Sequence, residues 1–240
     1  MARLSLEEKR RILARVPLFA RLTENDVEAI ASVSTTRSIK VREELFHKGD
    51  EGTQLYVVAQ GRLKVVTTSD EGDDLIFCVL GPGEVVGEVG LLADRPRTAT
   101  VIAMQSSDLI VIDRRELGSL LRTRPDVAIE LLAVVAARLV RVSEFLEDTH
   151  FLSLPVRLAK KLVDFSLQHG KDTGPPGAGH LRIDLKLSQE EWGDLVGTTR
   201  ESINKQFRAW TKEGLIDLEK GKVVILDLGE LEKLADCVVI

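Results

Sequence analysis

Gly87-Glu88-Val89-Gly90-Leu91-Leu92-Ala93-Asp94-Arg95-Pro96-Arg97-Thr98-Ala99 is the stretch from which the rest of the chain can be read. A glycine lets a backbone amide approach a ligand closely, and a carboxylate follows at once. A short apolar run comes next, and the segment closes on an arginine and a hydroxyl residue. Amides at the start of a helical turn favour an anion, and an arginine fork matches a phosphate. A carboxylate beside them accepts from a sugar hydroxyl, as the acidic residue of dinucleotide folds does. The segment therefore offers a site for a ribose joined to an anionic phosphate. Taken by themselves, Glu88 and Arg97 read more simply as a surface ion pair. The whole pattern is what favours the anion site.

Around this segment, from about Ser34 to Asp113, short β-rich runs recur: Leu55-Tyr56-Val57-Val58, Leu63-Lys64-Val65-Val66, Leu75 to Leu80, Thr100-Val101-Ile102 and Leu109-Ile110-Val111-Ile112. Gly49-Asp50, Gly61, Glu71-Gly72-Asp73 and Gly81-Pro82-Gly83 stand between them. Frequent short strands separated by turn residues predict a β-roll, or jelly-roll, barrel. The quoted segment interrupts that array, where a helical turn would present its amides to the barrel interior. Upstream, residues 4 to 31 read as short helical segments broken around Pro17, with Thr23 and Asp26 capping the second.

Downstream, Thr123-Arg124-Pro125-Asp126 starts a long helix, with Pro125 at an early helical position. Along it Ala128, Leu132, Val135, Leu139, Val142 and Leu146 recur at steps of four and three, flanked by Arg138, Arg141, Glu144 and Glu147. A narrow apolar seam with charged flanks predicts a coiled-coil dimer axis; the alternative is a helix packed only on its own barrel. Residues 149–153 read as a hinge. The helix that follows carries Val156, Leu158, Ala159, Leu162, Val163 and Leu167, and Gly170 to Gly179 reads as an exposed Gly/Pro-rich loop.

The second strong pattern lies between Leu185 and Ile216. Ser188 and Glu191 form a capping box that opens a short helix with Trp192, Leu195 and Val196 on its apolar face. Gly197 permits a tight turn, and Thr198 with Glu201 reads as a second capping box immediately afterwards. Two helices so joined predict a helix-turn-helix. On the second helix Ile203, Phe207 and Trp210 fall on one side, and Arg200, Glu201, Asn204, Lys205 and Arg208 on the other. Arginine grips guanine through two donors, glutamate accepts from a cytosine amine, and Lys205 reaches a guanine acceptor or a phosphate. A hairpin then carries Lys220-Gly221-Lys222 at its tip. It reads either as a wing against DNA phosphates or as a plain soluble turn.

Composition bounds these readings. The chain has 240 residues, 44% hydrophobic and 30% charged, as a globular protein of one large or two modest domains does. No apolar run is long enough to cross a bilayer, and residues 1 to 15 lack the pattern of a signal peptide, so a cytoplasmic protein is expected. A formal net charge of −5 argues against a general nucleic-acid coat but allows a sequence reader that is basic on one face. Cys78 and Cys237 are far apart, and His47, His150, His169 and His180 share no ligand spacing, so neither a metal nor a resident cofactor is expected. Cys78 reads as a core residue or as part of a base pocket.

Gly87 to Ala99 resembles the phosphate-binding cassette of cyclic-nucleotide-binding domains. With Thr199-Arg200-Glu201-Ser202-Ile203-Asn204-Lys205, the chain resembles the CRP/FNR superfamily of bacterial transcription regulators nearly end to end, closest to its cyclic AMP receptor branch. The resemblance implies an α+β protein. Residues 1-123 would be a cyclic-nucleotide-binding β-roll with N-terminal helices, 124-148 a dimerisation helix, 149-153 a hinge and 154-240 a winged helix-turn-helix domain. It implies that Glu88 meets the ribose 2′-hydroxyl and Arg97 the cyclic phosphate, with backbone groups from Gly87 and Val89 and a hydroxyl or amide from Thr98. Arg138 would pair with Glu88. Val142 and Ser143 match two neighbouring hydroxyl positions that touch adenine in that branch. Ser143 keeps its hydroxyl and Val142 does not, while Arg-Thr-Ala at this place often accompanies acceptance of cyclic GMP. The ligand that the resemblance implies is therefore cyclic AMP or cyclic GMP. Ser188, Thr199, Arg200, Glu201, Asn204, Lys205, Arg208 and Lys222 would meet double-stranded DNA at a palindrome of TGTGA-like half-sites. In that family a loop near Gly170 to Gly179 can touch RNA polymerase, which the resemblance therefore offers as a further partner. Two other functions stay open on the residues alone. One is the same DNA reader with haem, another metabolite or no ligand. The other, an enzyme with Glu88 acting on a phosphate ester, lacks a nucleophile–base pair or second carboxylate.

Overall fold

The computed structural model describes residues 4–173 and 179–236. The chain divides into two compact units, Met1–Val140 and Arg141–Ile240. The first opens with α1 (Leu6–Leu13), a 3-10 turn at Pro17–Phe19 and α2 (Glu24–Val33). Both helices start on complete capping boxes, Ser5 with Glu8 and Thr23 with Asp26.

Eight strands follow: β1 (Thr35–Ile39), β2 (Glu44–Phe46), β3 (Gln54–Gln60), β4 (Leu63–Thr68), β5 (Asp74–Leu80), β6 (Val85–Val86), β7 (Thr100–Ala103) and β8 (Ser107–Asp113). The short helix α3 (Glu88–Leu92) lies between β6 and β7. The strands form two antiparallel sheets, ordered β1-β8-β3-β6 and β2-β7-β4-β5. β3 shows how the layers are built. Its alternate side chains point to opposite faces. Tyr56 and Val58 join Leu63, Leu80, Val101 and Leu109 in the core between the sheets. Leu55 and Val57 join Phe19, Ile30, Leu91 and Leu117 beneath the helices. Burial on both faces explains four consecutive buried residues in one strand.

β1, β2 and β6 fall outside the strands read from sequence. Only Ile39 of Thr35–Ile39 is buried, so β1 has no hydrophobic alternation and is defined by pairing with β8. β6 is two residues paired to β3. The sequence reading also omits α4 (Arg114–Thr123), although Leu117, Leu120 and Leu121 at helical spacing carry its signal.

α5 (Pro125–Phe151) runs for 27 residues. Val127, Leu131 and Val134 pack into the core beneath the helices. The expected seam faces away: Leu132 is 65% exposed, Leu139 66%, Val142 41% and Leu146 63%, with Ala128 and Val135 half-buried. Helical structure extends through Thr149, His150 and Phe151, leaving Leu152 and Ser153 before the next helix.

The second unit holds α6 (Leu154–His169), β9 (Gly170–Thr173), β10 (His180–Ile183), α7 (Gln189–Val196), α8 (Arg200–Lys212), β11 (Ile216–Glu219), β12 (Lys222–Ile225) and α9 (Leu228–Asp236). Its sheet is ordered β11-β12-β10-β9, and α6 packs on α9. The expected loop from Gly170 to Gly179 begins instead as a strand, because Gly170 to Thr173 pair antiparallel with Ile183 to His180. Residues 174–178 of that loop, and Cys237, lie outside the described residues. Leu167, read with the apolar face of α6, is 80% exposed, and Phe165 takes its place in the core.

Candidate functional site

Gly87 caps α3 with φ 94°, a left-handed conformation that costs a side-chain-bearing residue about 1–2 kcal/mol. It also lies against the Arg97 guanidinium, and a Cβ there would come 2.9 Å from Gln54 O. Gly87→Ala is therefore expected to displace Arg97 and to lower stability by at least about 1–2 kcal/mol. Urea denaturation reads this as a lower midpoint at unchanged slope.

That turn turns the Glu88 side chain inward, where it is completely buried. The Arg138 guanidinium on α5 donates to Glu88 Oε1 and to Val85 O. Glu88 Oε2, Arg97 Nε and Arg138 Nε are buried and have no hydrogen-bond partner. Arg97, only 4% exposed, donates from Nη1 to Gly87 O at 2.8 Å and from Nη2 to Gln54 O at 2.7 Å. Its guanidinium also stacks 4.2 Å from the Phe46 ring. Burial pulls its pKa down, and the neighbouring Tyr56 and Glu88 oppose that pull. Glu88 and Arg97 are thus held by separate partners, Arg138 for one and backbone carbonyls for the other.

The other candidates spread outward. Val89 and Thr98 are exposed, and Cys78 is half-buried against the core between the sheets. Arg138 is half-buried; Val142 and Ser143, further along α5 in the second unit, are exposed. Sequence reasoning missed Phe46, Gln54 and Tyr56 around Arg97. They come from β2 and β3, 41 to 51 residues upstream, and no local pattern marks them.

In the second unit α7 starts on the expected Ser188–Glu191 capping box, and Gly197 ends it at φ 68°. The second cap is corrected by one residue. Thr199, not Thr198, is the N-cap of α8, and its hydroxyl accepts from Ser202 N. Thr198 is instead held inside the turn, its amide donating to Gly193 O at 3.0 Å. Ile203, Phe207 and Trp210 are buried, Trp192 sits 6.0 Å from Phe207, and Phe165 5.5 Å from Trp192. This aromatic cluster leaves Arg200, Glu201, Lys205 and Arg208 exposed and Asn204 half-buried on one face. Ser188 and Thr199 remain exposed, their hydroxyls engaged in the caps. Lys220 and Gly221 both adopt positive φ, which closes a two-residue hairpin between β11 and β12. Lys222 and Lys171 both pair with Asp184, whose carboxyl they hold far below the usual carboxylate range. Among the described residues no helix is long and apolar enough to cross a membrane, and no cluster of His, Cys, Asp or Glu is arranged to hold a metal.

Comparison with known proteins matches both regions. The cyclic nucleotide-binding domain family matches residues 36–124, and the Crp-like helix-turn-helix domain family residues 156–234. A "CRP-like cAMP-activated global transcriptional regulator" of Mycobacterium tuberculosis is 30% identical over 224 residues, covering 93% of this chain and 98% of that protein. A "Cyclic AMP receptor protein" of Thermus thermophilus is 30% identical over 219 residues, covering 91% and 96%. Among solved structures, FixK2 from Bradyrhizobium japonicum shares the fold with a TM-score of 0.73 at 19% identity, over 84% of this chain and 97% of that one.

Proposed function

Since the chain belongs to the CRP/FNR family of transcription regulators, which are not enzymes, we propose that it is a homodimer whose binding of DNA responds to a cyclic nucleotide. The observation that carries the ligand is Glu88. A completely buried carboxylate oxygen without a donor is costly, and a ribose 2′-hydroxyl supplies that donor. The buried Arg97 Nε, nine residues along the same segment, lacks an acceptor, which a cyclic phosphate oxygen supplies. Amides of Gly87 and Val89 and the Thr98 hydroxyl complete the phosphate site. Arg138 extends the network through its pair with Glu88, and Cys78 lines the pocket of the purine, which is adenine or guanine.

In this reading residues 1-123 sense the nucleotide, 124-148 pair the subunits and 154-240 read DNA, all in the cytoplasm. Arg200 and Glu201 meet base edges in the major groove, Lys205 a guanine or a phosphate. Ser188, Thr199, Asn204, Arg208 and Lys222 contact the duplex around them. Two recognition helices stand one DNA turn apart, roughly 34 Å, over a palindrome of TGTGA-like half-sites. The nucleotide binds the DNA-competent arrangement better than the other and so shifts the equilibrium toward it. RNA polymerase is a further partner at the promoter.

A mobility-shift titration on such a palindrome tests this with cyclic AMP, with cyclic GMP and with neither. One nucleotide is expected to tighten DNA binding about 10- to 100-fold, the usual range of coupling between two sites. Equal affinity in all three arms would refute the ligand-gated reading while sparing the DNA reader.

A further inference from the structure

Arg114 opens α4 and reaches back to the segment that carries Glu88 and Arg97. Its amide donates to Thr53 O at 2.8 Å. Its Nη2 donates to Gly52 O at 3.0 Å and to Gly90 O at 3.4 Å, and Nη1 pairs with the Asp94 carboxylate. These acceptors belong to the two halves of the site. Gly52 and Thr53 lead into β3, whose Gln54 carbonyl holds Arg97. Gly90 lies in α3, two residues after Glu88, and Asp94 closes the turn behind α3 at φ 50°. The halves are already in contact, since a Cβ on Gly52 would stand 3.2 Å from Arg95 O and 3.4 Å from Gly90 C.

We infer that Arg114 is a positioning residue for the nucleotide site. By tying the start of β3 to α3 and its following turn, it sets the separation between the Glu88 carboxylate and the Arg97 guanidinium. The inference rests on the cyclic-nucleotide reading above. A ligand that must reach both groups needs them spaced to within about 0.5 Å, which supporting bonds provide. Arg114 forms none of its recorded bonds with Glu88 or Arg97; it acts on the backbone that carries them. A planar fork is required, because a lysine can pair with Asp94 but cannot also hold Gly52 and Gly90.

The test compares affinities of the full chain for cyclic AMP and for its 2′-deoxy analogue by calorimetry. The unmodified protein is expected to prefer the ribose form by about tenfold, the worth of one hydrogen bond to a charged group. Arg114→Ala is expected to lose about tenfold in affinity for cyclic AMP and to bring the ratio between the two ligands close to one. A residue that only stabilised the fold would weaken both ligands alike and leave the ratio unchanged. Should Arg114→Ala fail to fold, Asp94→Asn removes only the ionic arm and is expected to narrow the ratio less. An unchanged ratio in the soluble variant overturns the inference alone. Where cyclic GMP is the ligand that binds, it and its 2′-deoxy analogue replace the adenine pair, and an unmodified protein that binds neither cyclic AMP nor cyclic GMP overturns the nucleotide reading and the inference with it.

Discussion

Arg97→Leu is expected to reduce cyclic-nucleotide affinity about 10- to 100-fold, through loss of the charge-assisted hydrogen bond that Nε offers the phosphate, worth about 1.5–3 kcal/mol. The variant also tests what Arg97 does for the fold. Its guanidinium satisfies Gly87 O and Gln54 O and stacks on Phe46. Leucine keeps apolar contact with the ring but supplies neither the cation–π attraction nor the two hydrogen bonds, so the β-roll should lose about 1–3 kcal/mol for each carbonyl left buried. A lower melting midpoint with retained secondary structure is therefore part of the expectation. Arg97→Lys separates the two contributions. It keeps a positive charge for the phosphate and loses the fork, so its affinity should fall between the other two. Calorimetric affinities of the leucine variant that match those of the unmodified chain would remove Arg97 from the phosphate site.

Replacing Leu132 and Leu139 together by glutamate is expected to turn the protein into a folded monomer. Both side chains are about two-thirds exposed on α5, whereas Val127 and Leu131, about 100° round the helix, belong to the core. In a symmetric dimer four leucines return to water, at about 1.5 kcal/mol or more each, before charge repulsion is added. That sum is roughly 6 kcal/mol, about four powers of ten in the dissociation constant. Sedimentation should show half the mass, and DNA binding to a palindrome should fail with it. Sedimentation as a dimer would place the subunit contact elsewhere and leave the seam unexplained.

Two kinds of information were legible along the chain. Where a residue's role depends on its near neighbours, sequence sufficed. The strands containing Leu55 to Val58, Leu63 to Val66 and Leu109 to Ile112, the caps at Thr23 and Ser188 and the glycine turn at Gly197 all formed where local pattern put them. The apolar spacing on α8 likewise predicted which side would be buried, because helical periodicity is a local property. The cap of α8 moved from Thr198 to Thr199 because two adjacent threonines offer the same chemistry, and the turn geometry chose between them. Strands β1, β2 and β6 were not legible. A short or mostly exposed strand has no pattern of its own and exists through its partner.

For the site, the sequence by itself determined which groups are present: a carboxylate after a glycine, an arginine nine residues on, and a basic helix face behind a glycine turn. Only the tertiary structure decided how those groups are held. Glu88 is fully buried with one oxygen on Arg138, Arg97 rests on the carbonyls of Gly87 and Gln54, and Arg114 ties the two halves together from α4. The physical reason is reach. Caps and periodicity act over three or four residues, whereas these bonds join residues 10 to 62 positions apart. Their free energy depends on burial that no single segment possesses until the sheets and helices have closed around it.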